Sequence, residues 1–310
     1  MRYVTTLLKS GRLGHQLKDW FTSVIASEEF GLQYVHYPLS RRARKWEKFL
    51  SFGDGEIAYR TLKRDRSLRI VDFDETAWYG MPLSQVQEKI EIDSEADHVL
   101  YRFSNSARLM LESVDHSTQD RVLDRIRTKY WAARDKAPVP AAYRSDQLNV
   151  SLYVRRGGWR QDISRSNPND RYQDCSYFLN IVNNLLEVLD PAGVDIHVYS
   201  EGTADELRDF YEHGAPNLTV HRCDNSYPQL YNIFHHILIS DIQVTGSSAF
   251  SYALAHLTQN IVMCFPHDLV IPMQERDRLL HTDGEGEFSR ERLVQLVRER
   301  HGPKVLSHTP

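Results

Sequence analysis

The densest set of residues fit for chemistry is Tyr153-Val154-Arg155-Arg156-Gly157-Gly158-Trp159-Arg160-Gln161-Asp162. Three arginines around two glycines suit a diphosphate. Planar guanidinium forks match phosphate oxygens, and residues without a Cβ let backbone amides approach them. Two further segments favour anions: Ser10-Gly11-Arg12-Leu13-Gly14-His15-Gln16 and Thr245-Gly246-Ser247-Ser248-Ala249-Phe250-Ser251. Each leads into a helical pattern, where first-turn N–H groups and the helix dipole attract negative charge. Ser247 and Ser248 are also good amino-terminal caps, a role compatible with phosphate contact. Neither segment is a P-loop, and Phe250 stands where a nucleophile elbow would need Gly.

Other candidates point elsewhere. Asp72-Phe73-Asp74-Glu75-Thr76 follows an apolar run and matches the D-x-D-x-T of haloacid-dehalogenase-type phosphatases. Asp72 and Asp74 also form the D-x-D with which some transferases hold a divalent metal. Their plainer reading is an acidic surface loop. His235 and His236 are helix neighbours about 100° apart and cannot both face one metal. Arg41-Arg42-Ala43-Arg44-Lys45-Trp46 sets an aromatic beside a basic cluster, suited to a solvated face or to anionic lipid.

The elements that must hold these segments read most clearly in the second half. Runs at Asn149–Val154, Val194–Tyr199, Leu218–Val220, Asp241–Val244 and Asn260–Phe265 read as strands. Helical patterns lie between them at Tyr177–Leu189, Ala204–His213, Gln229–Leu238 and Ser247–Leu257. Strands alternating with helices predict a parallel sheet, with Arg155 at the carboxyl end of its first strand, where such sheets bind ligands. If residues alternate there as in a strand, Arg156 points away from Arg155. In the first half, a helix begins at Gly14 or His15, Leu68–Val71 reads as a strand and Thr118–Ala133 as a helix. The KAPVPAA stretch at Lys136–Ala142 marks a boundary between domains 1–140 and 141–310, and a last helix at Ser289–Arg300 is a candidate to cross back over the first domain.

At 310 residues the length suits about two domains, and 41% hydrophobic residues supply their cores. No apolar run approaches the ~20 residues of a membrane span, and Lys9 and Arg12 interrupt the first apolar run too early for a secretory signal. Cys175, Cys223 and Cys264 are too few and too scattered for a disulfide framework or a zinc cage. A net charge of −4 gives no general pull towards nucleic acid. These features suit a cytoplasmic protein with at most peripheral membrane contact.

In order and spacing, the three anion segments resemble the GDP-fucose-dependent fucosyltransferase superfamily, which includes bacterial α-1,2- and α-1,6-fucosyltransferases and protein O-fucosyltransferases. Gly11-Arg12-Leu13-Gly14-His15-Gln16 is similar to its G-R-x-G-N-Q turn, and Tyr153-Val154-Arg155-Arg156-Gly157 to its H-x-R-R-G motif. Ser240–Ser251 is similar to its acidic strand leading into S-S-x-F-S, and Tyr199-Ser200-Glu201-Gly202 stands where the family has S-D or T-D. The resemblance implies an α/β GT-B fold: two Rossmann-like domains with parallel sheets facing a central cleft. It implies inverting transfer of a sugar, fucose in this family, from a GDP-sugar to a glycan or lipid-linked glycan hydroxyl, without a metal. Arg155 would bind the β-phosphate and stabilise departing GDP. Gly11, Gly14 and His15 would offer amides to the same diphosphate, Ser247, Ser248 and Phe250 would hold phosphates and nucleoside beside Arg156, and Glu201 would reach the guanosine. Tyr153 replaces the motif histidine, His15 the turn asparagine, and Gly158 an aspartate common in the bacterial enzymes. A nucleotide-sugar-binding protein without turnover is the alternative of another class. Peripheral contact with anionic membrane falls to Arg41–Lys45, and no nucleic-acid partner is expected.

Overall fold

Alternation between buried strands and amphipathic helices gives the chain two sheets. The structure, a computed structural model, describes residues 1–7, 12–41, 43–73, 81–92, 98–104, 114–156, 173–215, 217–224, 226–246, 248–265 and 277–302. The chain divides into two units, Met1–Pro138 and Val139–Pro310. Both sheets are parallel and flanked by helices, as expected of Rossmann-like units.

The first unit runs β1 (Arg2–Thr6), α1 (Leu13–Glu29), β2 (Gln33–His36), α2 (Trp46–Leu50), β3 (Ile57–Ala58), α3 (Tyr59–Leu62), β4 (Arg69–Phe73), α4 (Leu83–Ile92), β5 (Val99–Phe103) and α5 (His116–Lys136). Its strand order is β3-β2-β1-β5-β4. Leu17, Trp20, Phe21 and Val24 form the apolar stripe of α1, all buried, and Trp20 stacks on Phe52 at 4.2 Å. The helix closes with Phe30 N–H donating to the Ala26 carbonyl, and Gly31 takes the left-handed φ of +59° that turns the chain into β2. Asp115 caps α5 by accepting from the Thr118 amide at 3.0 Å.

The second unit runs β6 (Leu148–Tyr153), α6 (Cys175–Val188), β7 (Val194–Ser200), α7 (Arg208–Glu212), β8 (Leu218–Arg222), α8 (Tyr227–Ile239), β9 (Ile242–Thr245), α9 (Ala249–Leu257), β10 (Ile261–Cys264), β11 (Leu279–His281) and α10 (Arg290–His301). Its order, β11-β10-β9-β6-β7-β8, is that of a dinucleotide-binding sheet. From β6 the chain winds outward to β8, returns beside β6 as β9, and winds outward again. The reversal leaves a crevice between the carboxyl ends of β6 and β9, which is where the second and third anion segments begin.

The faces of this sheet differ in chemistry. Val150, Leu152, Ile196, Val198, Ile242 and Val244 pack with Phe178 and Leu185 of α6 and with Leu293, Leu296 and Val297 of α10. Each such side chain stabilises the fold by about 1.5–3 kcal/mol when fully buried. The final helix thus places its apolar stripe in the second unit's core. The other face is polar and aromatic: Ser151 and Ser240 hydroxyls lie 2.7 Å apart, and Gln243 donates to the Ser251 carbonyl. On that face His197 meets His221 at 3.0 Å, Tyr199 stacks over His221, and Tyr143 and His236 close the cluster. His236 bonds the Pro140 carbonyl, and His235 is buried.

Burial, then the neighbouring imidazoles of His221 and His236, lowers the His197 pKa from its ordinary 6.5 to about 4. His221 and His236 are lowered too, chiefly by burial. Between those values the unfolded chain binds more protons than the folded one, so stability is full above pH 6.5 and is lost as pH falls towards 4. Asp65 and Asp115, held at about 2 by hydrogen bonds, lose their contribution only at lower pH. The unfolding free energy measured in urea is therefore expected to fall between pH 7 and pH 4.5 by on the order of 1–2 kcal/mol for His197, discounted for partial exposure. His197→Phe should flatten that drop, and an unchanged slope would mean that the imidazole is not the sensing group.

Candidate functional site

The site is built from the end of β6. Val154 N–H donates to the Tyr199 carbonyl at 2.9 Å, and beyond it Arg155 and Arg156 leave the ladder. Arg155 and Arg156 both border one cleft, and Arg156 reaches Cys175 of α6, on the side of the sheet where Val154 packs. Tyr153, Arg155, Arg156, Gln173, Phe178, Gly246 and Ser248 line this small cleft. It lies at the crevice between β6 and β9.

Arg156 is the most constrained group there, at 4% exposure. It donates to the Arg155 carbonyl at 2.9 Å and to Cys175 Sγ at 3.1 Å. Cys175 opens α6 and its thiol approaches the Glu206 carbonyl at 3.4 Å. The stem of Arg156 lies against Gly202, where a Cβ would stand 2.9 Å from Arg156 Cγ. Gly202 is held in turn, its amide donating to Ser200 Oγ and its carbonyl accepting from Arg222. Gly246 meets the same demand across the cleft, since a Cβ there would stand 2.7 Å from Gln173 Oε1 and 3.0 Å from Phe178 Cζ. Ser248 caps α9 by accepting from the Phe250 amide at 3.2 Å and lines the cleft as well.

An aromatic wall stands beside the arginines. Tyr153 packs on Phe250 at 5.0 Å, and Phe250 meets Phe234 edge-on. Tyr153 donates its phenol to Glu201 at the end of β7, at 3.3 Å. Burial, then the Glu201 carboxylate, pushes that phenol well above the ordinary value, so it remains a donor at neutral pH.

Gly14 and His15 lie in the first turn of α1 in the first unit, Gly14 buried and His15 half-buried. Gln16 beside them spans to the next loop, donating to Ser40 Oγ at 2.6 Å and accepting from the Ser40 amide at 2.8 Å. Gly11, Ser247, Gly158, Asp162 and Asp74 lie outside the described residues. Asp72 sits on the outer strand β4, gripped by both prongs of Arg102 at 2.5 and 2.6 Å. A carboxylate so committed, away from the sheet's reversal point, is poorly placed as a phosphatase nucleophile or metal ligand. Among the described residues no group of three or more His, Cys, Asp or Glu is arranged to hold a metal ion. Trp46, read from sequence as an aromatic beside the basic cluster, is only 4% exposed and packs on Phe49. Cys175, Gly202 and Gln173 were not singled out by sequence. The available signal was Gly202 directly after a strand end, where a missing Cβ has a packing reason.

No protein-family model matches the chain, and no curated protein matches its sequence. Solved structures similar to it include POFUT1 in complex with GDP-fucose, at 12% identity and a TM-score of 0.48, covering 84% of this chain and 95% of that one. An Arabidopsis thaliana FUT1 variant with GDP aligns at 12% identity and a TM-score of 0.45, over 87% of this chain and 72% of that one. E. coli heptosyltransferase WaaC with ADP aligns at 9% identity and a TM-score of 0.41, over 96% and 97%.

The cradle around Arg156 has a direct test. Gly202→Ala forces a Cβ against a buried arginine stem and is expected to cost about 1–3 kcal/mol in urea unfolding. Gly284→Ala, where an added Cβ meets nothing within 4 Å, should change stability by less than ~0.5 kcal/mol. Equal effects would show that the close approach at Gly202 carries no strain.

Proposed function

We propose that this chain is a glycosyltransferase that takes a GDP-sugar, with fucose as the sugar, and passes it to a glycan hydroxyl with inversion. The observation that carries the reading is the pair Arg155 and Arg156 bordering one cleft with Ser248 and Gly246, at the reversal point of a nucleotide-binding sheet order. The motif resemblance across residues 10–255 supplies the guanine and the fucose.

In this reading Arg155 presents its fork to the β-phosphate, where negative charge grows as the glycosidic bond breaks. A donor aimed at developing charge stabilises the transition state more than the bound substrate. Arg156, already fixed by Cys175 and the Arg155 carbonyl, adds positive potential with little reorganisation on binding. Glu201, steadied by Tyr153, reaches the nucleoside, and Phe250 backs the aromatic wall. The resemblance assigns Gly14 and His15, in the first turn of α1, amides for a diphosphate. The acceptor hydroxyl attacks from the side opposite the leaving group, and the arginines take the part that a metal plays in other transferases. We place the reaction in the cytoplasm, on a glycan or lipid-linked glycan. No helix of the described residues is long and apolar enough to cross a membrane.

Nucleotide preference tests the donor. Ligand that binds only the native state raises its stability, so GDP should raise the thermal midpoint more than UDP, ADP or CMP at equal concentration. A larger shift with ADP or UDP would remove the GDP-sugar assignment while leaving the sheet and its crevice intact.

Turnover tests the chemistry. Arg155→Ala and Arg155→Lys should each lower sugar transfer by roughly 10²-fold, because Lys keeps the charge and loses the fork. Wild-type transfer should persist in EDTA. Wild-type rates in folded Arg155→Ala would end the catalytic assignment, and GDP binding without any turnover would favour a binding protein.

A further inference from the structure

Several cations of this chain pair with carboxylates: Arg125 with Glu28 and Glu56, Lys129 with Glu56, Arg102 with Asp72, and Arg290 with Glu187. Acidic residues outnumber basic ones, 42 to 38. One surface gathers cations close together without such partners. Arg60, Lys63, Arg64 and Arg66 fall within seven residues, are all exposed, and form no ion pair or side-chain hydrogen bond among the described residues.

Packing fixes which way they face. Ile57, Tyr59, Leu62 and Leu68 pack against Tyr3, Val35 and Leu100 of the first sheet. The segment from β3 to β4 thus turns its apolar side chains to the sheet and its cations outward. The acid within it, Asp65, is withdrawn from them. Its carboxylate accepts from the Ser67 amide and hydroxyl at 2.9 and 2.6 Å and meets His98 Nδ1 at 2.5 Å. Arg69 and Ile70 continue the surface on the outer strand, with Ile70 42% exposed.

We propose that residues 60–70 form a docking surface for a membrane of anionic lipid, on which the first unit rests. Independently of the reaction proposed above, the charge pattern names the partner. Cations left without carboxylates in an acid-rich chain fit a field of negative headgroups, and Ile70 adds an apolar side chain at the same surface. Each cation near such a surface strengthens binding about five-fold, so four give several hundred-fold. Single-stranded nucleic acid would need rings to stack on. The aromatic within the segment, Tyr59, is turned to the sheet and tilted against Tyr37 at 4.6 Å. The Arg41–Lys45 cluster is the weaker candidate, since Arg44 is bonded to the Leu39 carbonyl and Trp46 is buried.

The test is co-sedimentation of the full chain with phosphatidylcholine vesicles, with and without phosphatidylglycerol, at low and high salt. Binding should require phosphatidylglycerol and disappear at high salt. The combined variant Arg60→Gln, Lys63→Gln, Arg64→Gln, Arg66→Gln should bind at least tenfold more weakly while keeping the wild-type thermal midpoint. Arg41→Gln with Lys45→Gln should bind as wild type. The proposal is overturned by absent binding, by equal binding to neutral vesicles, by full binding of the fourfold variant, or by loss that follows Arg41 and Lys45 instead. Single-stranded RNA binding more tightly than the vesicles and displacing them would overturn it too.

Discussion

A buried guanidinium governs the second unit. Taking Arg156 out of water is costly unless it finds hydrogen-bond partners, and the chain supplies a carbonyl and a thiol and, for its stem, a gap where a side chain would be. Each of these comes from a different part of the unit. The carbonyl belongs to the adjacent residue, the thiol to the start of α6, and the gap to the residue two beyond β7. The arginine therefore ties the carboxyl ends of β6 and β7 to the first turn of α6. Arg155 is carried on the backbone that this tie immobilises.

The same economy recurs in the first unit. Gln16 spans from α1 to Ser40 with both ends of its amide, and the Glu47 carboxylate joins His36 Nε2 to the Leu39 amide. Hydrogen bonding and His36 hold that carboxylate below its usual range despite burial, so it stays ionised as it pins the loop after β2. In both units, then, residues near a strand's carboxyl end are held by side chains that reach backbone. Rigid loops at that edge are what a sheet of this kind needs in order to present a ligand site.

Much of this could be read from the chain alone. Val150, Leu152, Ile196, Val198, Ile242 and Val244 alternate cleanly because one sheet face is wholly apolar, and those strands were placed within a residue or two. The first unit was harder. Thr5, Thr6 and His36 are polar yet buried, which breaks the alternation that marks β1 and β2. β3 has two residues and β11 three, too few for any period. The three anion segments were visible by composition, and the strand order brings two of them together. The partners that fix Arg156, Cys175 and the gap at Gly202, were not visible, because they depend on how α6 and the end of β7 come together in space.

The pairing of β6 with β9 joins Val150 to Ile242 and Leu152 to Val244, across two intervening strand–helix units. A contact so remote along the chain must wait for long loops to close. During synthesis, Arg155 and Arg156 emerge well before Gly246 and Ser248, so for that interval the cleft has one wall. A nascent chain cannot close both walls of that cleft, which forms only when the sheet is whole. Occupancy of that cleft is therefore a report on completed assembly of the second unit, not a scaffold on which it forms.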